Sequence, residues 1–121
     1  MGIKHSTPKS FYYAFQGLKT ALRKEPNLQI HTFFAISAII TALILKVSTI
    51  EWLLLTFTIF YVITLELLNT VLENVVNLVS PEIKPYAKVA KDVSAACVLL
   101  AAIMSFIVGL VIFLPKIFSV F

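Results

Sequence analysis

From Asn27 onward the chain is apolar almost without interruption, and the polar breaks define its elements. The segment Lys46-Val-Ser-Thr-Ile-Glu51 ends a first apolar run, and a second ends at Ser80-Pro81. No proline or glycine occurs between Asn27 and Ser80, so charge alone separates the first two runs. The pattern predicts helices at about 27–46, 52–79 and 85–114, with Pro85 opening the third and Pro115 ending it. Each is long enough to cross a bilayer. Ahead of them, Phe11, Phe15, Leu18 and Leu22 recur at helical spacing, while Lys19 and Arg23 lie on another side. This predicts an amphipathic helix at about 8–25, suited to lying in the membrane interface. A cap packed on the bundle is the alternative.

Composition agrees with an all-α integral membrane protein. The chain has 121 residues, 60% of them hydrophobic and 13% charged. Soluble domains of this size are nearer half apolar. Residues 1–121 are read as one membrane-embedded domain with three spans, leaving no room for a separate soluble catalytic domain. The single Cys97 cannot form an internal disulfide, and the N-terminus lacks the apolar stretch of a cleavable signal peptide. Charge adds orientation. Lys4, Lys9, Lys19, Arg23, Lys24, Lys84, Lys88 and Lys91 fall in the N-terminal segment and second loop, eight of the ten basic residues. Lys46 and Lys116 lie on the other side. This bias predicts a cytoplasmic N-terminus and second loop, with the C-terminus outside.

The candidate chemistry is concentrated in Glu66-Leu-Leu-Asn-Thr-Val-Leu-Glu73-Asn-Val-Val-Asn77. At about 100° per residue, Glu66, Asn69, Glu73 and Asn77 share one stripe of an otherwise lipid-soluble helix. Glu66 is expected about 21 Å below Trp52, inside a hydrocarbon core of about 30 Å. Glu73, about 32 Å below, reaches the headgroups. A lipid's polar head would sit between them. Glu66 suits a general base, and hydrated Glu73 suits a metal ligand. The same stripe can be read as structural, bonding helices of an oligomer together. The cost of acids in an apolar segment favours function.

Other residues gather at the same surface. Glu25 precedes Pro26 and can complete a metal site with Glu73, or can serve only as a helix-start acid. Lys88, Lys91 and Asp92 stand where the third helix begins. Lys91 suits phosphate, although the loop lysines also suit anionic lipid heads. A lone His31 is read as an interfacial packing residue outside the site. Ala101, Ser105 and Gly109, spaced by four, predict a close-packing helix face. No GxxxxGK[ST] or GxGxxG motif is present. A nucleotide site would therefore rely on side chains and Mg²⁺, which favours one or two carboxylates plus substrate phosphates.

Residues 66–77, with Gly17-Leu-Lys-Thr-Ala, Glu25 and Ala90-Lys-Asp92, resemble the small prokaryotic diacylglycerol kinases. The likeness covers nearly the whole chain. Asn27 with His31, the Ser80-Pro-Glu82 turn and the Ile-Phe-Leu-Pro-Lys ending are most similar to the Gram-positive undecaprenol kinase branch. The resemblance implies a homotrimeric kinase of the bacterial cell membrane, with MgATP as donor and a lipid alcohol as acceptor. No nucleic-acid partner is expected. Glu66 matches the general base, with Asn69 supporting it. Glu25 and Glu73 match metal and ATP ligands. Tyr13, Glu82, Ile83, Lys84, Lys91 and Asp92 match nucleotide contacts. Two departures stand out. Asn77 replaces the usual Asp, outside the inferred reaction centre, so activity is expected to survive. Ile83-Lys84 replaces Tyr-His, which bears on the nucleotide contacts of that loop. Undecaprenol or a similar polyprenol is the expected acceptor, and diacylglycerol the alternative. A non-enzymatic transporter or assembly subunit is the rival class, disfavoured because the polar residues cluster in the cytoplasmic half alone.

Overall fold

The computed structural model describes residues 6–82 and 84–120. Four helices follow in order: α1 (Thr7–Lys24), α2 (Pro26–Leu45), α3 (Thr49–Val79) and α4 (Pro85–Val120). No strand occurs among the described residues. α2, α3 and α4 are long and apolar enough to cross a membrane. The 20 residues of α2 span about 30 Å, one hydrocarbon thickness.

The boundaries have local causes. Pro26 and Pro85 open α2 and α4, where a missing N–H removes no helical bond and φ is already set. Glu25 closes α1 and caps α2 in an extended conformation. Its N–H donates to the Ala21 carbonyl at 2.9 Å, and its own carbonyl accepts from Gln29 N at 3.1 Å. The Gln29 amide also donates to the Leu22 carbonyl at 2.8 Å. The corner between α1 and α2 is thus held by bonds from both sides, and Glu25 stands at its apex.

The α2–α3 turn differs from expectation. Lys46 takes the left-handed conformation, φ 54°, which ends α2. α3 then begins at Thr49 rather than near Trp52. Glu51 is not a breaker but half of a capping box. Glu51 N donates to Ser48 Oγ at 3.2 Å, and Ser48 N donates to Glu51 Oε1 at 2.9 Å.

The far end of α4 also departs from the expected stop at Pro115, since the helix continues to Val120. Proline removes one hydrogen bond without preventing helical φ, and neighbouring helices make this tolerable in apolar helices. Lys116 holds the extra turn against the start of α3, with Nζ 3.0 Å from Glu51 Oε1.

Ala42, Val47, Leu55 and Ile112 form a buried cluster near this end, with Trp52 and Phe113 packed against it. Few other apolar side chains are buried. Phe33, Phe57, Phe60, Phe106 and Phe118 are all exposed. Such a surface suits hydrocarbon as solvent. The buried polar residues among those described are Thr58, Glu66 and Asn69. All three lie on one face of α3, turned toward the other helices.

Candidate active site

Glu66 is 1% exposed, in the middle of α3. The residue beside it on α2 is His31, whose Nε2 lies 3.7 Å from Glu66 Oε2. That oxygen is buried without a hydrogen-bond partner. An unsatisfied carboxylate oxygen is costly in an apolar setting, and it leaves a lone pair free to accept a proton.

One turn further, Asn69 is 7% exposed and tied on both sides. Its amide Nδ2 donates to Glu73 Oε1 at 3.1 Å. Its Oδ1 accepts from Ser94 Oγ of α4 at 2.7 Å. Asn69 therefore orients Glu73 and fastens α3 to α4. At the next level Lys91 Nζ donates to Asn77 Oδ1 at 2.5 Å. The stripe thus meets α2 through Glu66 and α4 through Asn69 and Asn77.

Glu25, at the helix corner, is half-buried. Together with Glu73 and His31 it is a charged or titratable group close enough to act electrostatically on Glu66. No group of three His, Cys, Asp or Glu side chains converges among the described residues. Glu25 and Glu73 supply the ligand type of a hard cation such as Mg²⁺, which takes one or two carboxylates and completes its shell with phosphate and water. Glu25 and Lys24 also border a cleft of about 750 Å³ between α1 and α3, which Gly17 and Thr70 line.

The remaining candidates lie on α1, in the second loop and at the start of α4. Tyr13 is exposed on α1. Glu82 and Lys84 are exposed in the loop before α4. Asp92 is exposed and paired with Lys88 at 2.6 Å. Ile83 lies outside the described residues. Two further residues meet the stripe from α2 and α4. His31, which reads in the sequence as a packing residue, is the α2 residue against Glu66. Ser94 carried no chemical signal, although Lys91, Ser94 and Ala101 fall at helical spacing on one face.

Between α2, α3 and α4 runs a groove of about 440 Å³, with His31 among its lining residues. The expected close-packing face of α4 divides here. Ala101 is buried, whereas Ser105 and Gly109 line the groove. Among the phenylalanines of α2 and α3, only Phe34 lines it. Phe33, Phe57 and Phe60 point outward.

Comparison with known proteins decides the family. Residues 12–113 match the prokaryotic diacylglycerol kinases. The chain belongs to that family. It is accordingly an ATP-dependent lipid kinase and a membrane protein. Undecaprenol kinase of Bacillus subtilis is 41% identical over 108 residues, 89% of this chain and 88% of that protein. A protein of Synechocystis named diacylglycerol kinase is 43% identical over 111 residues, 91% of this chain and 63% of its own length. Diacylglycerol kinase of Haemophilus influenzae is 33% identical over 100 residues, 83% of this chain and 84% of that protein.

Proposed function

We propose that this lipid kinase transfers the γ-phosphate of ATP to the hydroxyl of undecaprenol or a similar polyprenol, with Glu66 as general base. The observation that carries the reading is the buried Glu66 Oε2, which lacks a hydrogen-bond partner and stands beside the residue at one end of an apolar groove. Likeness to undecaprenol kinase supports the acceptor. Diacylglycerol is the second reading, favoured by the names of the Synechocystis and Haemophilus relatives.

Phosphoryl transfer depends on positioning and charge neutralisation more than on covalent chemistry. Glu66 accepts the proton as the lipid oxygen bonds to the γ-phosphorus and the bond to ADP breaks. Asn69 keeps Glu73 directed toward the phosphates. Glu25 and Glu73 would hold Mg²⁺, which would neutralise phosphate charge when bound. Lys91 sits on the same side, with Tyr13, Glu82, Lys84 and Asp92 as outer contacts to the nucleotide. α1 lies in the interface and admits lipid laterally, its exposed Phe11 and Phe15 facing the acyl region. Three copies assemble as a homotrimer in the bacterial cell membrane, with N-termini cytoplasmic and C-termini outside.

Two substitutions test the division of roles. Glu66→Gln removes a proton acceptor, so turnover is expected to fall by about 10²–10⁴ with nucleotide binding nearly unchanged. Glu73→Gln removes a metal ligand, so MgATP binding and turnover should weaken together. Equal loss of nucleotide binding in both variants would refute the assignment.

A further inference from the structure

His31 and Glu66 face each other without a direct bond. At 3.7 Å the two side chains are too far apart for a direct hydrogen bond. Glu66 Oε2 is buried without another partner. A small parting of the two side chains would let one oxygen atom bridge them from the side, at about 2.7–2.9 Å from each, and satisfy both. It would accept from His31 Nε2–H and donate to Glu66 Oε2. An alcohol oxygen carries both capacities on one atom, and so does water.

The groove discriminates between the two. It leads away from His31 along an apolar path lined by Phe34, Ala38, Ile59 and Val108. A hydroxyl carried on a long hydrocarbon chain matches this combination, whereas water has no use for the apolar length. Gly109 adds a second observation. A Cβ built there would meet nothing within 4 Å. Close helix packing within the protomer therefore does not require this glycine, and its small size widens the groove.

We infer that His31 is a substrate-contacting residue: with Glu66 it clamps the acceptor hydroxyl, while the acceptor's hydrocarbon tail lies in the groove between α2, α3 and α4. This rests on the lipid-kinase reading above. The His31 N–H holds one lone pair of the hydroxyl oxygen, and the O–H points at Glu66. The other lone pair is left for phosphorus. As the new O–P bond forms and the P–O bond to ADP breaks, the hydroxyl proton passes to Glu66. His31 keeps its own proton throughout.

The test uses the full chain in bilayers, with MgATP and a long or a short polyprenol. His31→Ala should lower kcat/KM for the polyprenol by about ten- to a hundredfold, with the KM for ATP held within about twofold. His31→Gln, whose amide can donate from a similar position, should recover activity to within about tenfold of the unsubstituted chain. Gly109→Leu should raise the KM for the long polyprenol more than for the short one. Wild-type kcat/KM in His31→Ala would overturn the clamp. So would equal impairment of the Ala and Gln variants with a raised KM for ATP, the mark of a structural role. An unchanged acceptor KM in Gly109→Leu, as when a second copy fills the groove, would overturn the tail assignment. Failure of the unsubstituted chain to phosphorylate any lipid alcohol would instead defeat the kinase reading.

Discussion

At the scale of single residues, the proposed general base is legible in the sequence because an acid in an apolar helix is costly. Glu66 and Glu73 interrupt a helix that could otherwise dissolve in lipid, and their spacing with Asn69 and Asn77 is fixed by helical geometry. His31 was not legible in the same way. Its place against Glu66 depends on how α2 packs on α3, and nothing in the spacing along one helix contains that information. Ser94 illustrates the same limit on α4. Its hydroxyl is the donor to Asn69 Oδ1, so Ser94→Ala leaves a buried acceptor unpaired. We expect a loss of about 1–3 kcal/mol in stability, together with a higher KM for MgATP, because Asn69 orients Glu73. Thermal unfolding in detergent and initial rates at varied ATP measure the two effects. An unchanged KM would show that Glu73 keeps its position without this bond.

At the scale of elements, the apolar runs gave helices of the right number and order, and prolines marked two of the starts. Chemistry at the ends corrected two boundaries. Glu51 reads as a break when charge alone is considered, yet with Ser48 it satisfies the first turn of α3. Pro115 reads as a stop, yet Lys116 finds Glu51 across the bundle and the helix goes on. These two contacts meet on one carboxylate, so Glu51 ties the start of α3 to the end of α4. Ser48→Ala removes the cap hydroxyl and should cost about 0.5–2 kcal/mol. The loss belongs to the end of α3 away from Glu66, so the KM values for ATP and lipid should stay as they are. A marked rise in either KM would mean that the cap governs the site.

At the scale of the whole molecule, the arrangement is a bundle with a packed apolar end, an apolar groove and a polar end closed by the α1–α2 corner. The basic residues cluster beside the polar end, which underlies the proposed cytoplasmic orientation. Single cysteines introduced at Ser6, Ser48 and Lys84, after replacement of exposed Cys97, test this in intact cells. Ser6 and Lys84 are expected to be protected from an impermeant reagent outside, and Ser48 to be labelled. The reverse pattern would invert the topology. The most direct test of the central claim is acceptor choice by the purified chain. Undecaprenol and diacylglycerol would be mixed in one bilayer and offered MgATP labelled in the γ-phosphate. The account predicts label in undecaprenyl phosphate, with kcat/KM for undecaprenol exceeding that for diacylglycerol. A ratio favouring diacylglycerol would contradict the proposed acceptor, and label in neither lipid would contradict the proposed reaction.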